Sequence, residues 1–356
     1  MIVVLDTNVL CQDWHLAGSN FRTFFEGVKA VPVSLKIPAV VMDEVVNKFR
    51  ETLLERLREA SAGLHAMGQL LGREPAPTPT VDVVAEAARY RKHVENLVAG
   101  CSGEVLPYPK ITHEKVVERE LARRKPFREN GAGYRDLLIW ESVRPLVLWG
   151  HERVAFITAN SRDFGEGPGL HADFAEDLVN KNAIRIFRSL KAFNDEHVVP
   201  RLTMLDEVRR ELESNGHSFD LGRWLTGNLF DRVRDADLND LFSPFPDGVG
   251  RVWPSELLEI HKIAVDEVRE FAGKDLLVRV TVVADFVVSV DVEWDDYLRS
   301  PEVRKHLGGG GSFSSSWWYE TQRTSISLDL VLGWRSGEIE SDEIVRLSTD
   351  YGTFES

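Results

Sequence analysis

The chain has 356 residues, 43% apolar and 28% charged, and a mean hydropathy of −0.21; these values suit a soluble globular protein of one long or two medium domains and exclude collagenous, low-complexity and disordered classes. Two cysteines, Cys11 and Cys101, are too few for a disulfide framework, and neither sits in a zinc-ligand spacing. The net charge of −14 is unevenly spread: residues 1–200 hold 26 Lys and Arg against 27 Asp and Glu, and residues 201–356 hold 17 against 30, so phosphate binding is an option for the first part only.

The start, MIVVLDTNVL, has no basic stretch and its apolar run stops at Asp6; with no apolar stretch of membrane-spanning length, a cytoplasmic protein without membrane attachment is expected. IVVL reads as a buried parallel strand ending at Asp6-Thr7-Asn8, and KIPAVV (36–41) as a second. Residues 43–71 form an amphipathic pattern, which puts Asp43 and Glu44 at a helix N-terminus. A Pro-rich break (73–80), a helix over 81–100, a helix over 111–125, the loop PFRENGAGY and a helix from Arg135 follow, with Pro145 as a candidate kink. VAFITAN (154–160) and AIRIF (183–187) complete four strands. Strands alternating with helices imply a parallel sheet whose ligand crevice lies beyond the strands' C-terminal ends. GEGPG (165–169) lacks the lysine of a phosphate loop and reads as a turn.

Beyond residue 200 the spacing predicts helices over 201–216 and 255–272 and an irregular stretch over 217–250. From 275 alternation predicts strands in LLVRVTVVADFVVSVDVEW, long enough for a hairpin, in TSISLDLVLGW and in DEIVRLSTD, with GGGGSFSSS (308–316) as a mobile loop. The expected division is therefore an α/β domain over 1–200 and an acidic α+β domain with an antiparallel sheet over 201–356.

Four acids stand at or just past strand ends or at helix starts facing them: Asp6, Glu44, Asp136 and Asp163. An Asp after four apolar strand residues is costly unless ligated or hydrogen-bonded. Clustered carboxylates repel one another and are stabilised by a hard divalent cation, Mg²⁺ or Mn²⁺, which can activate water for in-line attack on a phosphodiester. Taken singly, each acid other than Asp6 is equally a helix cap or a complement to the helix macrodipole.

The stretches VVLDTN (3–8), PAVVMDEV (38–45), GYRDLLIW (133–140) and FITANSRDF (156–164) resemble, in the same order, the PIN-domain family of metal-dependent nucleases. The resemblance covers residues 1 to about 190 and implies a three-layer sandwich with a central parallel sheet. It further implies hydrolysis of phosphodiesters, most often of RNA, with Asp6, Glu44, Asp136 and Asp163 as the metal-binding, catalytic acids. Many members carry an acid at the position of Asn160, so the number of metals, one or two, stays open. Toxin, defence and RNA-processing roles all fit. A catalytically silent RNA-binding scaffold and a structure-specific DNA nuclease are the alternatives.

Supporting positions follow. Thr7, Asn8, Thr158, Asn160 and Ser161 can hydrogen-bond the acids or serve as ordinary turn and strand residues. Arg135 and the cluster Arg123, Arg124, Lys125 and Arg128 can hold substrate phosphates or pair with neighbouring glutamates on an exposed helix. Phe127 and Tyr134 are candidates for base stacking or for packing. In the C-terminal part, Trp317, Trp318 and Tyr319 favour a core or an interface over single-strand stacking, since the surrounding charge is negative; a protein partner or a second copy of the chain is the expected occupant. The acidic run DVEWDD (291–296) reads as a solvated strand end.

Overall fold

The structure, a computed structural model, describes residues 1–149, 153–166, 169–214, 219–234, 250–271, 275–307, 311–314, 316–335, 337–349 and 352–355. The chain divides into two compact units, Met1–Arg201 and Leu202–Ser356.

In the first unit the elements run β1 (Ile2–Leu5), α1 (Thr7–Leu10), α2 (Ser19–Ala30), β2 (Ser34–Pro38), α3 (Ala39–Leu71), α4 (Val83–Ala99), β3 (Glu104–Leu106), α5 (His113–Leu121), α6 (Tyr134–Trp149) and β4 (Val154–Ile157). Then come α7 (Ser161–Phe164), a ribbon of β5 (Gly165–Glu166) and β6 (Gly169–Leu170), α8 (Ala172–Ala175), β7 (Ile184–Phe187) and α9 (Leu190–Phe193). Five strands form a parallel sheet in the order β3-β2-β1-β4-β7. With β1 central, Val3, Val4 and Leu5 are buried between helix layers, which is why this strand is apolar at every position rather than alternating. Its register, Val3 beside Leu35 and Ala155, brings the C-terminal ends of β1, β2 and β4 to one edge.

Two boundaries differ from the sequence expectation. The strand read as 36–41 ends at Pro38, and Ala39–Val41 already belong to α3, for which Pro38 is the N-cap; proline's fixed φ suits a helix start, so the apolar run is shared between two elements. Glu44 consequently sits in the second turn of α3, not at its tip. The three-residue β3, with its exposed Glu104, is an additional edge strand. Helix α6 continues through Pro145.

The second unit contains α10 (Val199–Glu213), which starts just before it, α11 (Leu221–Arg234), β8 (Arg251–Phe271), β9 (Asp275–Glu293), α12 (Trp294–Arg299), α13 (Pro301–His306), β10 (Ser312–Ser314), β11 (Trp317–Arg335), β12 (Glu338–Thr349) and β13 (Gly352–Glu355). The antiparallel sheet has the order β13-β12-β11-β9-β8, with β10 on β11. Along β9 the even-numbered positions from Leu276 to Val292 are buried, matched on β11 by Ile326, Leu328, Leu330 and Leu332. Leu221, Leu225, Leu229 and Val233 give α11 a buried stripe, each worth about 1.5–3 kcal/mol by area removed from water.

Here the sequence expectation needs four corrections. Residues 255–271 are strand, not helix. Ser255, Leu258, His261 and Asp266 fall outside the pairing of β8 with β9, and each such bulge adds a residue that stretches the apolar spacing towards a helical one. The segment read as a hairpin is one strand, because Asp285 at its middle accepts from Arg323 and pairs with His261 instead of turning the chain. The expected irregular stretch contains α11, and 217–218 and 235–249 of it lie outside the described residues. Ser312–Ser314 of the expected loop pair with Trp317–Tyr319, while 308–310 and 315 lie outside the described residues. DVEWDD spans the end of β9 and the start of α12. Trp318 stacks on Tyr297 at 4.7 Å and 13° and on Trp294 at 6.0 Å, so its ring is engaged within the unit.

Candidate metal and nucleic-acid site

Asp6 is where the central strand ends. Its backbone N–H donates to the Ile157 carbonyl at 3.0 Å, which extends the β1–β4 ladder by one bond, and its side chain caps α1 by accepting from the Thr7 N–H at 2.7 Å. The other carboxylate oxygen accepts from Thr158 Oγ1 at 2.6 Å. Asp6 is 3% exposed and Thr158 is fully buried. Burial pushes the Asp6 carboxyl up, against the two hydrogen bonds, and the nearby Glu44 charge pushes the same way.

Glu44 reaches the same edge from α3. Thr7 Oγ1 donates to its Oε2 at 3.0 Å, while Arg135 Nη1 at 3.0 Å and Lys48 Nζ at 3.4 Å share Oε1. Lys48 escaped the sequence reading; its signal was the spacing of four residues from Glu44 on one helix face. Asp163 comes from α7 and is buried. Both of its oxygens are taken, Oδ1 by Lys125 Nζ at 3.3 Å and Oδ2 by Arg128. Burial would raise this carboxyl, but Arg128, Asn160 and Lys125 together hold it below the usual range. Asn160 is thus a hydrogen-bond partner of Asp163, and its N–H is anchored on Thr158 Oγ1 at 3.0 Å.

Asp136, in the first turn of α6, is half-buried, and its carboxylate has neither hydrogen bond nor ion pair among the described residues. Burial pushes its pKa up to about 6, reinforced by the charges of Asp6, Asp163 and Glu44 and opposed by Arg128. That mutual influence places all four acids in one electrostatic neighbourhood. As the side chains stand, no three His, Cys, Asp or Glu among the described residues are gathered closely enough to hold a metal ion. Glu44 and Asp163 are instead occupied by basic side chains. The donor chemistry nonetheless fits a hard cation: four carboxylates, two of which, Asp6 and Asp136, are raised chiefly by burial and further by the neighbouring acids.

The five basic candidates separate. Arg128, Lys125 and Arg135 sit on the acids. Arg124 bonds the Asp173 carbonyl at 3.0 Å and Glu176 at 2.9 Å, and Arg123 is exposed in a left-handed conformation at φ 52°. Arg124 is therefore structural here, part of a network the sequence did not announce, in which Asp177 accepts from Arg119 at 2.8 Å and Trp140 Nε1 at 2.9 Å. Phe127 is buried and anchors the loop rather than stacking on bases, while Tyr134 is exposed. Asn8 lies exposed on α1. The side chain of Ser161 lies outside the described residues.

The loop itself is shaped by two glycines. Gly131 has φ +75° and Gly133 φ +133°, and a Cβ on Gly133 would meet the Pro126 carbonyl oxygen at 2.4 Å. No described helix is long and apolar enough to cross a membrane. No curated protein and no solved structure matched the chain significantly. A family model described as PIN domain matches residues 3–164, a span that contains all four acids. Such domains are commonly nuclease domains. Residues 3–164 of this chain, with their parallel sheet and acid-lined C-terminal edge, are thus similar to a PIN domain.

Proposed function

We propose that Met1–Arg201 is a divalent-cation-dependent endonuclease acting on RNA, and that Leu202–Ser356 is an accessory domain that restricts access to it or engages a protein partner or a second copy of the chain. The observation that carries this reading is the Asp136 carboxyl, raised first by burial and then by the charges of Asp6, Asp163 and Glu44, which a hard cation would relieve. These four acids would hold Mg²⁺ or Mn²⁺, which when bound lowers the pKa of water and offsets charge on the phosphate. The protein's own contribution is positional. Thr158 and the Thr7 N–H fix both oxygens of Asp6, Thr7 Oγ1 fixes Glu44, and Asn160 steadies Asp163. Arg135, 67% exposed at its side chain, is free to turn towards a phosphate flanking the scissile bond.

A second reading, a silent RNA-binding scaffold, is favoured by the basic side chains seated on Glu44 and Asp163 and by Asn160. End-labelled single-stranded RNA, structured RNA and DNA, incubated with Mg²⁺, Mn²⁺ or EDTA, separate the readings. Internal cuts in RNA that require metal and vanish in Asp6→Ala are expected. No cleavage of any substrate in Mn²⁺ would overturn the nuclease, and cleavage of DNA alone would overturn the choice of RNA.

A further inference from the structure

We propose that Arg128 and Lys125 form a tethered-cation lock on Asp163, released when the phosphodiester backbone of a nucleic acid draws these side chains away, so that the divalent cation and the nucleic acid bind with positive coupling. This rests on the nuclease reading and adds to it a mechanism of assembly. The geometry is specific. Lys125 takes Oδ1 and Arg128 takes Oδ2, so the carboxylate has committed both oxygens to resident cations before any metal arrives. Asp163 is 7% exposed at its side chain, but Arg128 is 53% exposed, so one part of the guanidinium faces the acid while the remainder meets solvent. A guanidinium has five donors in a planar fork and is well matched to a phosphate.

The lock is held by a short, closed turn rather than by a long flexible segment. Gly131 N–H donates to the Arg128 carbonyl at 2.9 Å and Arg128 N–H to the Ala132 carbonyl at 2.9 Å. Phe127 is buried next to it, and the Lys125 N–H is fixed on the Asp173 carboxylate at 2.7 Å. Release therefore requires only side-chain rotation of Arg128 and Lys125, with the backbone in place. Arg135 on Glu44 is arranged alike, an exposed cation on a largely buried acid.

The test is calorimetric titration of Mn²⁺ into the full chain, with and without a 2′-O-methyl phosphorothioate decamer, which carries backbone charge but resists cutting. For the wild type we expect the decamer to tighten Mn²⁺ binding about fivefold, the scale of a part-exposed ion pair. Arg128→Ala and Arg128→Gln should bind Mn²⁺ about fivefold more tightly without the decamer and show little further gain with it. Circular dichroism melts of both variants verify that they fold. If wild type and variants bind Mn²⁺ equally and the decamer changes neither, the lock is refuted while the nuclease reading stands. If none of them binds Mn²⁺ under any condition, both fall together.

Discussion

Replacing Asp136 by Asn should make the protein more stable at neutral pH while removing its activity. The folded carboxyl has a pKa of about 6 against an ordinary 3.8. The folded state thus holds its proton more tightly than the unfolded chain, and stability is lost as pH rises from about 4 through about 6, remaining lower above that. The gap corresponds to about 3 kcal/mol of differential interaction. The carboxylate is part-exposed, and solvent screening reduces the figure to about 1.5 kcal/mol. Asn keeps the shape and removes the charge. In EDTA at pH 7.5, the transition of the first unit in Asp136→Asn should lie about 3–6 °C above wild type, from the usual relation between stability and Tm for a unit of this size. At pH 4 the two should coincide. Saturating Mn²⁺ should raise the wild type but not the variant. A Tm at pH 7.5 in EDTA equal to or below wild type would refute the electrostatic account of the cluster.

Two further outcomes follow from local packing. Gly133→Ala must accommodate a Cβ 2.4 Å from the Pro126 carbonyl oxygen at φ +133°, so it should destabilise by about 1–3 kcal/mol and lower cleavage by displacing Arg128 and Asp136; thermal denaturation and the cleavage assay read the two effects, and an unchanged Tm would contradict the strain. Trp140→Phe removes the Nε1 donor from half-buried Asp177 and should cost about 1–3 kcal/mol in urea denaturation, with a smaller loss in Arg119→Ala/Trp140→Phe than the sum of the single changes, because both donors share one carboxylate oxygen.

The parallel-sheet half was largely legible because its signals are local. An apolar run closed by Asp6, a helix opening near Asp136 and the acids' chain order all survive without knowledge of packing. What could not be read depends on contacts distant in sequence. Arg128 and Lys125 meet Asp163 across 35 and 38 residues, by way of a turn whose shape depends on glycine conformations, and a charge run with neighbouring glutamates offers no hint of that choice. Arg124 and Arg128 look equivalent in sequence, yet one bonds α8 and its flank while the other reaches the acid. Asp285 illustrates the converse error: the length of its segment suggested a hairpin, but the chain runs on through Asp285 as one strand, where cross-strand Arg323 and His261 neutralise the acid, and its carboxyl is held down at about 2, the hydrogen bond from His261 being the largest cause.

The four unmatched residues of β8 have a consequence for the surface of the C-terminal unit. Among the described residues β8 is the last strand on its side of the sheet, and over its 21 residues it repeatedly loses step with its neighbour. A straight strand from another molecule would meet carbonyls and N–H groups in register for only two to five residues before falling out of phase. The exposed Glu256 and Glu259 add charge along the same border. Sheet growth from this side is thereby discouraged, as broken and charged borders generally discourage it, and a chain with long, strongly β-forming strands keeps one flank closed to runaway association.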